Sequence, residues 1–252
     1  MSFLSNLFGR NAKRIPRRVP DGVWAAAIGD IHGQLDALNR LLALLERRAA
    51  QSRSRRKILI FVGDYIDRGF KSKQVIDRLV AGIPGFECVF LRGNHDQTLL
   101  EFLDDPTVAE AWRNYGGLET LASYGVAKVT QGDWPRIQQD LRVALPDSHL
   151  QFMRALKMHF TLGDYLFVHA GLRPGVPLHA QADHDLMWIR DDFLNASADF
   201  GALVVHGHTP KEKPDIRPNR IGIDTHAYLS GVLTALVLEE DRQSFVTSRD
   251  AV

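Results

Sequence analysis

The 252-residue sequence contains very little cysteine and no long apolar run. Its single cysteine, Cys88, lies in the apolar stretch 86–91, so a disulfide framework is excluded and we expect a buried thiol in a strand. No apolar stretch approaches the ~20 residues of a membrane-spanning helix. The first residues lack the charged-then-apolar order of a signal peptide. We therefore expect a cytoplasmic protein.

The sequence also lacks a strong excess of charge. Its formal net charge is +1, and residues 1–20 carry five basic and no acidic side chains, which leaves 26 basic against 30 acidic residues in the rest. This balance gives no support for nucleic-acid binding, so no nucleic-acid partner is expected. Residues 1–22 are predicted to form a basic, flexible leader. The alternative hypothesis is a weak membrane contact of this basic N-terminus.

The sequence does contain a regular alternation of strand-like and helical patterns. Apolar residues make up 45 % and charged residues 24 %, which is ordinary for a globular protein. A β-α-β-α-β order near the N-terminus implies parallel strands joined by right-handed crossovers. Its strands are predicted over 24–28, 57–62 and 86–91, and its helices over 34–49 and 72–80. Later strands are predicted over 165–168, 203–205, 221–223, 231–238 and 244–247, with the last two as an antiparallel hairpin.

The chain is predicted to form a single domain over residues 23–252. Residues 97–160 have mainly helical patterns, and no linker rich in proline, glycine or serine separates them from the strands on either side. We therefore predict a helical insertion over about 97–160 that covers the sheet, rather than a second domain. Residues 173–201 are predicted to be loop-like except near 185–190.

Side chains that can bind a metal ion follow five of the predicted strands. They are Asp30, His32, Asp64, Asn94, His169 and His208. Each alone has an ordinary structural explanation, but ligands in open α/β sheets collect at the carboxyl ends of strands. Carboxylate, amide and imidazole groups suit divalent ions such as manganese, iron or zinc. Two such ions, about 3.5–4 Å apart, clamp a phosphoryl group, and Asp64 on the middle strand is the natural bridging ligand.

These residues lie in five short blocks of sequence. The blocks are GDIHG at 29–33, GDYIDRG at 63–69, RGNHD at 92–96, HAG at 169–171 and GHT at 207–209. In this order they resemble the signature blocks of the calcineurin-like metallophosphoesterases, and specifically the bacterial phosphoprotein phosphatase branch of serine/threonine type. The resemblance extends from about residue 24 to 240. It implies an α/β metallophosphoesterase sandwich, with two packed mixed β-sheets flanked by helices in a four-layer αββα arrangement.

The resemblance also implies a cofactor and a role for each site residue. Two divalent metal ions are expected, with Mn²⁺ the first choice and iron or zinc the alternatives. One ion is assigned to Asp30, His32 and Asp64, and the other to Asp64, Asn94, His169 and His208. His95 is expected to be the general acid and Asp67 to orient it. The substrate phosphate is assigned to Arg68, Arg92, Arg190 and Asn94.

Three hypotheses for the function follow from this resemblance. The leading one is a metal-dependent phosphomonoesterase that hydrolyses phosphoserine or phosphothreonine in proteins, by direct attack of a metal-bridging hydroxide. Its expected partner is a phosphoprotein or phosphopeptide, and the complete block with Asp67 favours it. The second is a nucleotide phosphohydrolase such as a symmetrical dinucleoside tetraphosphatase. The third is a binding module without activity, against which the complete ligand set argues, because clustered carboxylates and histidines are costly to bury without a metal.

One residue departs from the pattern expected of such family members. His226, in the stretch DTHA at 224–227, stands where glycine is expected. It follows a predicted strand and so could reach the cleft. The preferred interpretation is an edge residue that tunes access to the site.

Overall fold

The computed structural model describes residues 17–126 and 132–250. Within them the strands form two five-stranded sheets. The first sheet has the order β10-β9-β1-β2-β3, with β1 Val23–Ile28, β2 Arg56–Phe61, β3 Glu87–Phe90, β9 Thr234–Glu239 and β10 Arg242–Thr247. The second has the order β4-β5-β6-β8-β7, with β4 His159–Leu162, β5 Tyr165–Val168, β6 Leu203–His206, β7 Asp215–Ile216 and β8 Arg220–Gly222.

Helices lie between these strands in the described residues. They are α1 Leu35–Gln51, α2 Ser72–Val80, α3 Asn94–Asp104, α4 Ala109–Trp112, α5 Gly117–Ser123, α6 Trp134–Ala144, α7 Asp147–Arg154, α8 Asp183–Trp188, α9 Asp191–Leu194 and α10 Ala227–Ser230. No helix within 17–126 or 132–250 is long and apolar enough to cross a bilayer.

Strand β1 shows how the layers are held together. Successive side chains of a strand point to opposite faces. Trp24, Ala26 and Ile28 belong to the core shared with the helices, whereas Ala25 and Ala27 belong to the core between the two sheets. A third apolar cluster covers the outer face of the second sheet with side chains from α8 and α9. The result is the predicted four-layer αββα sandwich.

Both sheets are mixed, as the resemblance implied. Strands β1, β2 and β3 are parallel, and β9 and β10 form the predicted antiparallel hairpin beside β1. In the second sheet β5, β6 and β8 are parallel, while β4 and β7 are antiparallel edge strands. β2 therefore lies between β1 and β3, which confirms the predicted central position of the strand that precedes Asp64.

Two parts of the chain differ from the sequence-based expectation. The helical pattern was expected to continue to about residue 160, but β4 begins at His159 and pairs with β5. The stretch 173–201 contains two short α-helices, α8 and α9, and a 3-10 helix over Leu178–Ala180, where mainly loop was expected. Strands and helices of four to six residues span too few periods for a repeat to be recognised.

The predicted domain boundaries stay predictions. Residues 1–16, most of the predicted leader, lie outside the described residues. The described part of that segment contacts the body, because Val19 donates its backbone N–H to Glu240 and the carbonyl of Arg18 accepts from Asp164. Helices α3 to α7 share one apolar core with α1 and the first sheet, which agrees with an insertion packed on that sheet.

The free energy of unfolding is expected to depend strongly on the buried face of α1. Leu38, Leu41 and Leu45 follow helical spacing and are fully buried against the first sheet. Leu41→Ala is therefore expected to lower the free energy of unfolding by ~2–5 kcal/mol, because it removes buried methyl groups and leaves a cavity. Urea denaturation measures this change. Arg47→Ala, on the exposed face of the same helix, should change it by no more than about 0.5 kcal/mol.

Candidate metal centre

The five sequence blocks meet where strands of the two sheets end. The loops after β1 and β2 are joined because the backbone N–H groups of Ile31 and His32 both donate to the carbonyl of Asp64, at 3.0 and 2.9 Å. The loops after β5 and β6 are joined by the N–H of Gly207, which donates to the carbonyl of His169 at 2.8 Å. The structure thus brings together side chains that are up to 178 residues apart in sequence.

The backbone at this edge is unusually strained. Of the seven non-glycine residues with positive φ in the described residues, five lie in these loops: His32, Asp64, Asp67, Arg68 and His208. A sixth, His226, lies in the loop after β8. Their φ angles lie between 46° and 71°, a region that side chains with a Cβ disfavour. Strain of this kind persists where the surrounding structure fixes it, and it clusters at functional sites.

Asp64 occupies the middle of the cluster. Its carboxylate takes part in two buried groups of metal-competent atoms, each with all its atoms within 4.8 Å of one another. One group is His32, Asp64 and His95, and the other is Asp64, His169 and His208. Two glycines allow the close approach, because a Cβ at Gly93 would overlap the carboxylate of Asp64 and one at Gly207 that of Asp30. The shared position agrees with the bridging role predicted for Asp64.

The hydrogen bonds of two histidines fit a metal ion between the side chains. Nδ1 of His32 donates to the carbonyl of Ile66 (2.8 Å), and Nδ1 of His169 donates to that of Val62 (2.9 Å). In the neutral ring the other nitrogen, Nε2, then carries a lone pair. These lone pairs face Oδ2 of Asp64 at 3.6 and 3.4 Å, respectively. Two lone pairs facing a carboxylate with no proton between them are suited to a cation, and backbone partners of this kind orient metal-binding histidines.

The remaining predicted ligands lie around the same carboxylate. Oδ1 of Asn94 is 3.0 Å from Nε2 of His169 and 2.9 Å from Nδ1 of His208. Asp30 accepts the backbone N–H of His208 with Oδ2 (2.9 Å), while its Oδ1 is buried without a hydrogen-bond partner. Nε2 of His208 is also buried and unpartnered. Unpaired buried polar atoms are costly, so their presence here fits a bound cation.

The protonation states of Asp64 and of three histidines favour metal binding as well. Burial lowers the pKa of His32 to about 3 and also lowers the pKa values of His169 and His208, so these rings are neutral near pH 7. Burial opposes ionisation of Asp64, but the surrounding histidines outweigh it and hold its pKa below the usual value. A carboxylate flanked by neutral imidazoles is the form in which these groups bind metal ions.

His95 is held by a second, fully buried carboxylate. Its Nδ1 is 2.6 Å from Oδ2 of Asp67, and its Nε2 is 4.0 Å from Oδ2 of Asp64. Burial by itself would lower the pKa of His95, but the charges of Asp64 and Asp67 outweigh burial and raise it. Asp67 also accepts hydrogen bonds from Nε1 of Trp112 (2.8 Å) and the hydroxyl of Thr120 (2.6 Å). The predicted pair of His95 and Asp67 is thus fixed from the side of the helical insertion.

Asp96 is a supporting residue that the sequence analysis missed. Its Oδ2 accepts the backbone N–H groups of Asp64 (2.8 Å) and Gly93 (2.9 Å), and its Oδ1 accepts that of Tyr65 (3.1 Å). It thereby ties the loop after β2 to the start of α3. Burial and the nearby charge of Asp64 raise the pKa of Asp96 to about 8. The available signal was an acidic residue in the first turn of a helix.

Comparison with known proteins agrees with this geometry. A family model for calcineurin-like phosphoesterases matches residues 24–231. The chain belongs to this family. A bis(5'-nucleosyl)-tetraphosphatase PrpE (asymmetrical) from Anoxybacillus flavithermus is 26% identical over 229 residues, which cover 83% of this chain and 88% of the relative.

Solved structures show the same fold. A candidate diadenosine tetraphosphatase superposes with a TM-score of 0.61 at 20% identity and covers 94% of this chain and 100% of its own. A protein serine/threonine phosphatase from Saccharomyces cerevisiae superposes with a TM-score of 0.57 at 16% identity, over 94% of this chain and 85% of its own. Both results support the predicted sandwich, and the family membership identifies this chain as a metal-dependent phosphoesterase.

The three predicted phosphate-binding arginines of this phosphoesterase differ in their surroundings. The guanidinium of Arg68 lies 4.1 Å from the centre of the Tyr228 ring. Its positive charge acts to lower the pKa values of His32, His95 and Asp224. Arg190 is exposed, precedes α9 and adds positive charge near His169 and His208.

Arg92 makes contacts of a structural kind. It donates to the side chain of Gln97 and to the carbonyls of Met153 and Arg154 at the end of α7. The described contacts therefore tie Arg92 to the helical insertion, and its phosphate-binding role stays a prediction.

Tyr228 is a further residue of the site that the sequence analysis missed. Its ring lies under Arg68 and is nearly perpendicular to the His32 ring, with 5.5 Å between ring centres. It lies on the short helix α10, which His226 precedes with a φ of 57°. The rings of His226 and Tyr228 have their centres 6.0 Å apart. The backbone N–H of His226 donates to the carboxylate of Asp224. His226 thus lies beside Tyr228 at the edge of the site, and its effect on access stays a prediction.

Proposed function

We propose that this phosphoesterase hydrolyses dinucleoside tetraphosphates by using two divalent metal ions. The similarity to a bis(5'-nucleosyl)-tetraphosphatase over most of both chains carries the proposal. The sequence alone favours a protein phosphatase over a nucleotide phosphohydrolase, whereas the similarity to known proteins supports the nucleotide phosphohydrolase better. Water cleaves one phosphoric anhydride bond in this reaction and gives either two nucleoside diphosphates or a nucleoside monophosphate and a nucleoside triphosphate.

Six residues would hold the two ions. We assign Asp30, His32 and Asp64 to one ion. Mn²⁺ is the first choice for each of the two ions. Asp64, Asn94, His169 and His208 are assigned to the other. When bound, such ions stabilise the charge of the transferring phosphoryl group and activate water.

The other side chains are proposed to bind and orient the phosphate chain. Arg68 and Arg190 bring positive charge to the centre and would bind phosphate oxygens, since a planar guanidinium pairs well with phosphate. Asn94 offers a further polar contact. His95 is proposed to donate a proton from Nε2 to the leaving oxygen, while its Nδ1–H remains hydrogen-bonded to Asp67.

The 2.6 Å contact between His95 and Asp67 favours a second candidate function. A histidine that a carboxylate orients as a proton donor is most useful when the leaving group is a basic alkoxide, as in phosphoserine or phosphothreonine. Hydrolysis of phosphoproteins or phosphopeptides is therefore the second proposal. A nucleotide leaving group is a weaker base and needs this proton less.

A side-by-side assay separates these proposals. Manganese-loaded protein is supplied with diadenosine tetraphosphate, a phosphoserine peptide and a phosphotyrosine peptide, and the products are separated by anion-exchange chromatography. The first proposal expects kcat/KM to be highest for the dinucleotide. A higher value for the phosphoserine peptide would overturn it in favour of the second proposal. The nucleotide products show whether the cleavage is symmetrical.

Replacing Tyr228 with leucine is expected to weaken substrate binding. The change removes the ring under Arg68 and with it a cation–π contact, so KM and the inhibition constant of inorganic phosphate should rise roughly 2- to 30-fold. Tyr228→Phe keeps the ring and should resemble the wild type. Steady-state kinetics measure both constants. Equal constants for the leucine and phenylalanine variants would show that the ring does not position Arg68.

A further inference from the structure

Trp188 differs from the other tryptophans of this chain in its exposure. The sequence has four tryptophans, and Trp24, Trp112 and Trp134 are no more than 5% exposed. Trp188 is 37% exposed, although burial of a large aromatic side chain stabilises the folded protein. Its ring therefore presents apolar surface to solvent that the fold itself leaves uncovered.

The position of Trp188 connects this exposed surface with the metal centre. The ring of Trp188 packs nearly perpendicular to the ring of His208, a proposed metal ligand. The ring centres are 6.3 Å apart, and the planes meet at 79°. Arg190, two residues further on, is also exposed and adds charge near His208 and His169. An aromatic surface and a proposed phosphate-binding side chain thus lie on the same side of the centre.

His184 extends the surface on the same helix. It lies one turn before Trp188 on α8, a spacing that places both side chains on one face. Their ring centres are 6.1 Å apart and the planes differ by only 18°. His184 is exposed as well. Two nearly parallel rings at the rim of a phosphate site have the shape and chemistry to stack with a flat heterocycle.

We propose that His184 and Trp188 form the surface on which the substrate's nucleobase stacks while its phosphate chain lies at the metal centre. The inference rests on the proposed hydrolysis of dinucleoside tetraphosphates. Aromatic side chains stack with every base because each base has a π-face. This surface therefore accepts adenine and other bases with little discrimination. Substrate binding then has two parts, with stacking at Trp188 and charge pairing at Arg68 and Arg190.

A binding experiment tests the stack without any turnover. Adenosine 5′-monophosphate is titrated into the full-length protein while tryptophan fluorescence is recorded. Because the other three tryptophans are buried, stacking is expected to quench the signal of Trp188. Ribose 5-phosphate, which has no base, should not quench it. Trp188→Phe should abolish the quenching. Quenching that persists in this variant, or is absent from the wild type, overturns the proposal.

A kinetic experiment tests the same surface during catalysis. Trp188→Leu is expected to raise KM for diadenosine tetraphosphate about 5- to 150-fold, the range of base–aromatic stacking, with a smaller change in kcat. The inhibition constant of inorganic tetraphosphate, which has no base, should stay constant. Trp188→Phe should restore most of the affinity, and His184→Ala should have a smaller effect. Tyr115→Leu, at another exposed aromatic residue, is the matched control.

The outcomes separate this inference from the proposed function. If the wild type cleaves diadenosine tetraphosphate and Trp188→Leu keeps its KM, the stacking surface is wrong and the function stands. If the wild type cleaves only phosphopeptides but adenosine 5′-monophosphate quenches Trp188, the proposed function is wrong and the base-binding surface stands. If neither cleavage nor quenching is observed, both are overturned.

Discussion

Asp64→Asn is expected to abolish the binding of both metal ions and, with it, phosphohydrolase activity. Asp64 is the one carboxylate shared by both buried groups of metal-competent atoms in the described residues. An amide keeps the size of the side chain but removes the negative charge that balances the cations. The loss of metal affinity should reach at least about 10²-fold, the upper range for loss of a residue that only supports a ligand.

Calorimetric titration with Mn²⁺ and elemental analysis measure this effect. Oδ1 of Asp64 also accepts the backbone N–H of His95 at 3.1 Å, and the carbonyl of asparagine can accept the same bond, so the fold should persist. His32→Ala should mainly weaken one ion. Asp140→Asn, on the exposed face of α6, is the matched control and should bind two ions. If the Asp64→Asn variant bound two ions as tightly as the wild type, Asp64 could not be the ligand that both ions share.

His95→Ala is expected to reduce kcat by an amount that depends on the leaving group. An alkoxide such as that of phosphoserine needs a proton in the transition state, so the loss on an alkyl phosphate should be roughly 10²–10⁴-fold. Nitrophenolate and nucleotide leaving groups are weaker bases and should lose clearly less. Asp67→Asn should show the same dependence in milder form, because it perturbs the hydrogen bond to His95 but keeps the imidazole.

Metal analysis is the control that makes this comparison interpretable. His95 is also part of one buried group of metal-competent atoms, so a lower metal content could mimic a lost proton donor. His179→Ala, at an exposed histidine in a short 3-10 helix, serves as the matched variant. With both ions retained, equal losses of kcat on alkyl and nitrophenyl phosphates would contradict the proton-donor role and indicate that His95 positions the phosphate.

Much of the centre could be predicted because its residues follow strands directly. A strand of apolar residues followed by glycine and polar side chains is visible in local sequence, and parallel strands bring their carboxyl ends to one edge. The position of Asp64 after the middle strand therefore followed from the order of β1, β2 and β3. His32 lies beside Asp64 for the same reason. His169 and His208 follow β5 and β6 of the second sheet, and they reach Asp64 because the two sheets pack against each other.

The residues that support the centre could not be predicted in this way. Trp112 and Thr120 bind Asp67 from 45 and 53 residues away, and they lie in a helical region whose packing no local pattern reveals. Tyr228 reaches Arg68 only because α10 follows β8 at the sheet edge. The contacts of Arg92 with α7 were equally hidden, since they depend on how the insertion folds back.

Reconstitution of the metal-free protein tests the two-metal phosphohydrolase most directly. The protein is exhaustively chelated, its metal content is confirmed to be near zero, and Mn²⁺ is added back in known amounts while the hydrolysis of diadenosine tetraphosphate is followed. We predict no activity before the addition and a rate that rises until two ions are bound per chain. Full activity of the protein with its metal content still near zero would contradict the account.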